Sequence, residues 1–148
     1  MSIAQLQMVA DWENQKEQKL LRTFQTAQQY VQQNKQKLAG LEQYRLDYLR
    51  QAQSKAKLGM AATTYGQHQQ FIGKLDKACE QQSKIISNAV LVADQRRMQW
   101  LGQQKKRKAV EMLLAKQQHS LYLREEKQEQ QMLDELALQR FVRQPPRY

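Results

Sequence analysis

A heptad repeat is the feature of this sequence that most limits what the chain can fold into. Between residues 3 and 52 the repeat alternates spacings of three and four without a break, and eleven of its fifteen positions are apolar. Such a pattern predicts a long helix with an apolar seam that packs against another helix. The seam positions are Ile3, Leu6, Ala10, Glu13, Glu17, Leu20, Phe24, Ala27, Val31, Asn34, Leu38, Leu41, Arg45, Tyr48 and Ala52.

The repeat stops just before Gly59, which suits the left-handed conformation that follows a helix end. Thr64 and Gln67 then have the capping-box spacing of a new helix start. A short break between two amphipathic helices predicts antiparallel neighbours. The predicted bounds are residues 3–58 for the first helix, 59–63 for the turn and 64–140 for the second helix, all in a single hairpin domain over residues 1–141, with a disordered tail over 142–148.

The second helix has a seam of its own, at His68, Ile72, Leu75, Cys79, Gln82, Ile86, Ala89, Ala93, Arg96, Trp100, Gln103, Arg107, Val110, Leu114, Gln117 and Leu121. The predicted fold is therefore all-α, a long two-helix antiparallel coiled-coil hairpin whose second helix is the longer. Folding the chain at Met60 predicts these facing pairs: Leu20 with Trp100, Val31 with Ala89, Leu41 with Cys79, Tyr48 with Ile72, Glu13 with Arg107, and Arg45 over Leu75.

In this register the first residue of the first helix, Ile3, lies opposite Gln117. Residues from 119 to 140 therefore have no predicted partner within the chain. Either this segment frays or something outside the chain covers it. Its apolar residues are Leu121, Leu123, Met132, Leu133, Leu136 and Leu138, with Phe141 just beyond.

Composition agrees with long helices, because the chain has 29 Gln but only five Gly and two Pro among its 148 residues. The single cysteine, Cys79, excludes an internal disulfide and favours a reducing compartment. The sequence opens without a charged-then-apolar leader, and its longest uncharged apolar run, Ile85–Ala93, is too short to span a bilayer. A cytoplasmic protein is expected.

No residue pattern indicates catalysis. The sequence has no phosphate-binding glycine loop, no nucleophile elbow and no His/Cys set at metal-ligand spacing. His68 and His119 stand alone, and Cys79 falls on the seam as a small core residue. We therefore expect no enzyme activity, no cofactor and no metal.

The net charge of +10 suggests an acidic partner without identifying it. The basic cluster consists of Arg96, Arg97, Lys105, Lys106, Arg107 and Lys108. It is either a solvated face or a docking surface for an acidic protein groove, and no DNA-reading motif surrounds it. Trp12 lies off the seam, where it is either buried or exposed at a partner contact.

A short apolar strip opens the second helix. Phe71, Leu75 and Ala78 have the i, i+4, i+7 spacing with which a helix binds a partner groove. The same spacing is equally typical of a broad packing face near a turn, where helix ends splay.

Three blocks of this sequence resemble the FliJ family, the small coiled-coil proteins of the bacterial flagellar type III export apparatus. Leu41-Glu-Gln-Tyr44-Arg-Leu-Asp-Tyr48 is similar to the family's Leu-x-x-Tyr-x-x-x-Tyr near the end of helix one. Residues 65–78 are similar to its Phe-Ile-x-x-Leu-x-x-Ala opening of helix two. Arg124-Glu-Glu-Lys127 and Asp134-Glu-Leu-Ala137, with Arg140, are similar to its C-terminal block.

The resemblance implies a non-enzymatic, stalk-like component of flagellum biogenesis, and through it of motility and chemotaxis. Its implied partners are the ring of the export ATPase FliI, the export gate protein FlhA and the export chaperones, with no nucleic acid and only indirect contact with the membrane. The implied location is the cytoplasmic side of the inner membrane at the flagellar base. The implied contacts are Phe71, Leu75, Ala78 and Gln82 for FlhA, and Arg124, Glu125, Lys127, Asp134, Glu135 and Arg140 for the ATPase.

Two other functions remain compatible with the residues. The charge of +10 suits a binder of nucleic acid or of an anionic surface, whose affinity would fall steeply with salt. The unpaired segment suits a structural coiled coil that associates with copies of itself.

Overall fold

The computed structural model describes residues 1–143, which form two helices, α1 (Ile3–Lys57) and α2 (Ala62–Arg143). No strand occurs within these residues. The predicted all-α hairpin with a longer second helix is confirmed. Residues 144–148 of the predicted tail lie outside the described residues.

The turn between the helices is built as the sequence predicts. Gly59 has a φ of +93°, the left-handed conformation that glycine adopts without a steric penalty. The amide of Leu58 donates to the carbonyl of Lys55 at 3.2 Å, and the amide of Gly59 donates to the carbonyl of Ala56 at 3.2 Å. These bonds satisfy carbonyls that the end of α1 would otherwise leave free.

The start of α2 differs in detail from the prediction, whereas α1 begins at Ile3 as predicted. α2 begins at Ala62 rather than at 64, so Thr64 lies inside the first turn and does not precede the helix. The capping box of the structure is at the start of α1 instead. There the amide of Ser2 donates to Oε1 of Gln5 at 3.0 Å, and the amide of Gln5 donates to Oγ of Ser2 at 3.1 Å. α2 also extends to Arg143, so that Val142 belongs to the helix.

The chain divides into two compact units. The turn unit is Gln18–Gly102, and the terminal unit comprises Met1–Glu17 together with the chain from Gln103 onward. Each unit contains segments of both helices.

The turn unit has its apolar core at the predicted seam. Its buried apolar residues are Phe24, Ile72, Leu75, Ala89 and Ala93. The ring of Phe24 stacks on that of Trp100 with centroids 5.7 Å apart. The predicted neighbour of Trp100 was Leu20, one helical turn before Phe24. An aromatic stack of this kind contributes about 1 kcal/mol beyond the area it buries.

The terminal unit has a smaller apolar core. Leu6, Ala10 and Leu114 form a buried cluster, and Ile3 and Val110 pack against it half-buried. All five residues are predicted seam positions of the two helices.

The seam prediction holds along α1, where every predicted position is buried or half-buried. It holds along α2 as far as Gln117, and the last seam position, Leu121, is 40 % exposed, as expected for the segment without a predicted partner. α1 begins at Ile3, so only the first residues of the chain lie beside Leu121.

The polar partners across the hairpin differ from those predicted. Arg107 pairs with Glu17 and not with Glu13, while Glu13 accepts hydrogen bonds from Gln103. Each of these contacts lies one helical turn from the predicted one, because a long side chain can reach the residue before or after the one directly opposite. Arg45 pairs with the carboxylate of Asp76, which is adjacent to Leu75 in α2.

Candidate partner-binding surfaces

The first candidate surface is an aromatic cluster close to the turn, formed by Tyr44, Tyr48, His68 and Phe71. The ring of Phe71 meets Tyr44 edge-on at 6.2 Å and lies 4.6 Å from Tyr48. The hydroxyl of Tyr48 contacts Nδ1 of His68, and their rings are 5.3 Å apart. Tyr44 is 52 % exposed, so the cluster presents aromatic surface to solvent on a support held by both helices.

The structure separates the four residues implied for the gate contact. Phe71 and Ala78 are half-buried and reach the surface. Leu75 and Gln82 are 7 % and 6 % exposed, which places them in the hairpin core. Sequence reasoning missed Tyr44, although its position next to the seam residue Arg45 was a usable signal.

Gln82 has a clear role inside the hairpin. Its Nε2 donates to the backbone carbonyl of Asn34 at 3.0 Å and to Oδ1 of Asn34 at 2.8 Å. The Asn34 amide in turn donates to the carbonyl of Tyr30 at 2.8 Å. Buried amides bonded in this way specify the register of two helices, because any slip would leave them without partners.

The second candidate surface is the overhang, defined here as residues 118–143. Every residue of the overhang is exposed, and the whole segment is helical. Its largest apolar side chains are Leu121, Tyr122, Leu123, Met132, Leu133, Leu136, Leu138, Phe141 and Val142. The first residues of the chain line a groove with Leu121, and this side chain is still 40 % exposed.

One apolar stripe stands out on the overhang. Leu121, Met132 and Leu136 follow spacings of eleven and four, which keep them on one face of a helix with 3.6 residues per turn. Leu136 is 48 % exposed and Met132 is 59 % exposed. The stripe therefore offers an apolar surface that the hairpin itself does not use.

The six charged residues implied for the ATPase contact are all exposed, but they do not share one face. By helical periodicity, Glu125 lies on the face of the apolar stripe, and Arg140 and Glu135 lie at its two edges. Arg124 lies about a quarter turn from the stripe, and Lys127 and Asp134 lie on the opposite side of the helix. Arg124 also lines a groove with the first residues of the chain, so the start of α1 lies beside this block.

A polar network occupies the seam of the terminal unit. Glu17 is 4 % exposed and pairs with Arg107, whose Nη1 also contacts Oε2 of Glu111 at 2.7 Å. The hydrogen bond with Glu17 is the main cause that raises the pKa of the Arg107 guanidinium above its usual value, although burial opposes the shift. Arg107 is thus fixed inside the hairpin and is not part of an open basic patch.

The rest of the basic cluster is mostly solvated. Lys105, Lys106 and Lys108 are exposed.

Trp12 is 58 % exposed, and Nζ of Lys16 lies 5.2 Å from its ring centroid. The structure therefore resolves the position of Trp12 as exposed.

Groups that could support catalysis are scattered. Within the described residues, no cluster of three or more His, Cys, Asp or Glu side chains could hold a metal ion. His68 contacts Tyr48, Cys79 is half-buried in the seam, and His119 is exposed. Neither described helix holds a stretch of the length and apolarity that crossing a membrane requires.

These features define an all-α coiled-coil hairpin with exposed apolar surface near its turn and along its overhang. Residues 1–146 match the protein family described as Flagellar FliJ protein. The chain belongs to this family, which implies a component of the flagellar export apparatus. No curated protein and no solved structure matches the chain.

Proposed function

We propose that this protein is a non-enzymatic coupler of flagellar protein export that binds the FliI ATPase ring and the export gate protein FlhA and handles export chaperones. It acts on the cytoplasmic side of the inner membrane, at the base of the flagellum, and meets the membrane only through the gate. Membership of the FliJ family supports a role in the flagellar export apparatus.

The observation that carries the proposal is the exposed overhang. An isolated helix gains little from exposed leucines and methionines, whereas burying the remaining half of each side chain against a partner contributes about 1 kcal/mol, before the costs of association. In the proposed complex the ATPase ring covers the stripe of Leu121, Met132 and Leu136. Glu125, on the face of this stripe, and Arg140, at its edge, supply charged contacts.

The gate contact is proposed at the other candidate surface. Phe71 and Ala78, both half-buried, provide the apolar side chains that reach the surface, and Tyr44 supports the Phe71 ring edge-on. Leu75 and Gln82 act by holding the two helices in register beneath this face, because both are buried. Their substitution would disturb gate binding through the fold of the hairpin.

Coupling in this proposal needs no chemistry from the chain. A partner that binds one state of the ATPase ring better than another shifts the ring towards that state by the difference in binding free energy. A coiled coil that contacts both the ring and the gate makes each binding event depend on the other.

The experiment compares two phenylalanines, the half-buried Phe71 and the exposed Phe141, one on each proposed surface. Phe71→Ala is expected to weaken binding to the FlhA cytoplasmic region by about tenfold and to leave FliI binding unchanged. Phe141→Ala serves as its matched control and is expected to leave FlhA binding unchanged. Affinities are measured by titration calorimetry, with circular dichroism to check that both variants stay helical.

Deletion of residues 121–148 tests the ATPase contact. It is expected to abolish association with FliI rings while FlhA binding persists, because the aromatic cluster is retained. FliI rings that bind the truncated chain normally would contradict the assignment of the overhang. Unchanged FlhA affinity in a helical Phe71→Ala protein would contradict the assignment of the gate contact.

A further inference from the structure

Apolar residues repeat along one flank of α2 beside the seam. Phe71, Ala78, Ile85 and Val92 are seven residues apart, and each comes immediately before a seam position. We call these four residues the docking stripe. Ile85 and Val92 are 41 % and 43 % exposed, and the stripe spans about 32 Å at 1.5 Å per residue.

The other flank of the same helix is polar at four of five positions. It consists of the residues immediately after His68, Leu75, Gln82, Ala89 and Arg96, which are Gln69, Asp76, Ser83, Val90 and Arg97. Flanks of a two-stranded coiled coil ordinarily hold polar and charged residues of this kind, because they face water. The docking stripe departs from that rule at four successive positions, so its apolar character is not explained by pairing with α1 alone.

α1 contributes apolar surface to the same side. Tyr44 meets Phe71, and Tyr30 lies with Ile85 and Val92 in one groove of about 310 Å³. The same groove is lined by Ala27 and by the buried Ala89. Small residues at the base of a groove between two helices allow a third helix to approach closely.

Charge on this side is confined to its rim. Residues 23–34 of α1 and 85–93 of α2 contain no charged side chain, although a quarter of the whole chain is charged. Lys37 and Lys74, near Ala78 on the same side by helical periodicity, are exposed. Asp47, the acidic residue of this side, already accepts a hydrogen bond from Gln43 at 3.0 Å. The rim therefore favours an occupant with acidic flanks.

We propose that the docking stripe binds one amphipathic helix of a partner protein, whose apolar residues recur every seven residues and whose flanks are acidic. The bound helix completes a three-stranded coiled coil over the turn unit. The heptad spacing of the stripe matches a supercoiled helix over three repeats, a length that one short peptide contact would not need.

The inference extends the proposed gate surface at Phe71 and Ala78, but it rests on the groove at Ile85 and Val92 and does not depend on which protein binds at Phe71. A second copy's overhang is a poor fit, because its stripe has spacings of eleven and four. Those spacings drift away from a heptad seam within a few turns.

The probe is a synthetic peptide of about four heptads with Leu at the seam positions and Glu at the flanks. Repulsion between the glutamates disfavours pairing of the peptide with itself. A scrambled peptide of the same composition has the same charge but no apolar seam. The full chain is expected to bind the heptad peptide at least about tenfold more tightly than the scrambled one, measured by fluorescence anisotropy.

Two valines provide matched variants. Val92→Glu places a charge in the docking stripe and is expected to weaken binding of the heptad peptide by about tenfold. Val90→Glu makes the same change on the polar flank, at a residue that is 36 % exposed, and is expected to change affinity less than about twofold. Circular dichroism verifies that both proteins remain helical, and Ile85→Glu provides a second substitution within the stripe.

Three results would overturn the inference. Equal binding of the two peptides would show that charge alone attracts them, and equal weakening by Val92→Glu and Val90→Glu would show the same. A dimer of the chain that Val92→Glu abolishes and Val90→Glu retains, measured by sedimentation equilibrium, would assign the stripe to a second copy. Binding of FlhA by the Val92→Glu protein is measured in parallel, so that a failure of the stripe is distinguished from a failure of the gate proposal.

Discussion

α2 has two parts that are built from the same residue types and have opposite surroundings. From Ala62 to Gln117 it runs beside α1, and its seam residues are buried or half-buried. From 118 to 143 it continues as a helix with every residue exposed. Leu114 is 8 % exposed, whereas Leu136 is 48 % exposed. The difference shows that burial in this protein depends on the presence of α1 and not on the apolar content of the segment.

The spacing of apolar residues also changes between the two parts. The paired part keeps a heptad repeat, which suits a left-handed supercoil with α1. The overhang moves to a spacing of eleven between Leu121 and Met132, which suits a nearly straight helix. The overhang therefore does not continue the heptad repeat of the paired part, and we expect it to bind a surface of a different shape.

The largest expected effect comes from the core of the paired part. Phe24→Ala removes a buried ring that stacks on Trp100 and is expected to lower the free energy of unfolding by about 3 kcal/mol. Urea denaturation followed by circular dichroism measures it. A loss below about 1 kcal/mol would show that the stack is not part of the stabilising core.

A smaller effect is expected from the buried amide pair. Gln82→Leu leaves Oδ1 and the carbonyl of Asn34 without their donor and is expected to lower the free energy of unfolding by about 2 kcal/mol. The double variant Asn34→Leu/Gln82→Leu is expected to recover most of that loss, because no side-chain amide is then left unpaired. If the double variant is as unstable as the single one, the pair does not act as a bonded unit.

Loss of the ion pair in the terminal unit is also expected to destabilise the folded protein. Arg107→Met leaves the buried Glu17 carboxylate without its cation and is expected to lower the unfolding midpoint more than the neighbouring change Lys108→Met. Thermal melts of the two variants measure the difference. Equal midpoints would show that water solvates Glu17 adequately.

The pH dependence of the Arg107 contribution has a definite sign. Its pKa is raised in the folded protein, so its stabilisation is fully present below the ordinary pKa of arginine and is lost only as pH rises through the higher folded value. Between about pH 6 and pH 9, titration of Arg107 is therefore expected to leave stability unchanged. Comparison of wild type with Arg107→Met across this range measures it, and a difference that drifts with pH would have to come from another group.

The smallest effects are expected in the overhang. Phe141→Ala changes an exposed side chain and is expected to alter the free energy of unfolding by less than about 0.5 kcal/mol. Amide hydrogen exchange is expected to give opening free energies near zero for residues 120–140 and larger values for the paired part of α2. Slow exchange in the overhang of the isolated monomer would show that something within the chain protects it.

Much of the fold could be predicted because a seam is a repeated signal. No single position of α1 identifies a coiled coil, but fifteen positions in register do, and all of them are at least half-buried. Gly59 marked the turn for the same kind of physical reason, since its left-handed conformation is cheap only for glycine. Leu121 continues the seam pattern of α2, but the register places it beyond the start of the first helix, and it is exposed in the structure.

The candidate sites were harder to predict. Leu75 and Gln82 share a helical face with Phe71 in the sequence, yet the structure places them in the core. Helical periodicity shows on which side of a helix a residue lies. It does not separate a seam residue from the flanking residue beside it, because the two differ by a single position in the sequence. The choice between core and surface therefore required the position of α1.

What the sequence determined by itself was the existence of two helices, their antiparallel pairing, the position of the turn and the length of chain without a partner. These follow from periodicity and from the conformational preference of a few residues. Only the tertiary structure decided which polar side chains pair, so that Glu17 rather than Glu13 holds Arg107, and Asp76 holds Arg45. The physical reason is the length of these side chains. A long flexible side chain can contact residues on either side of the one directly opposite, and the packing around it determines which contact forms.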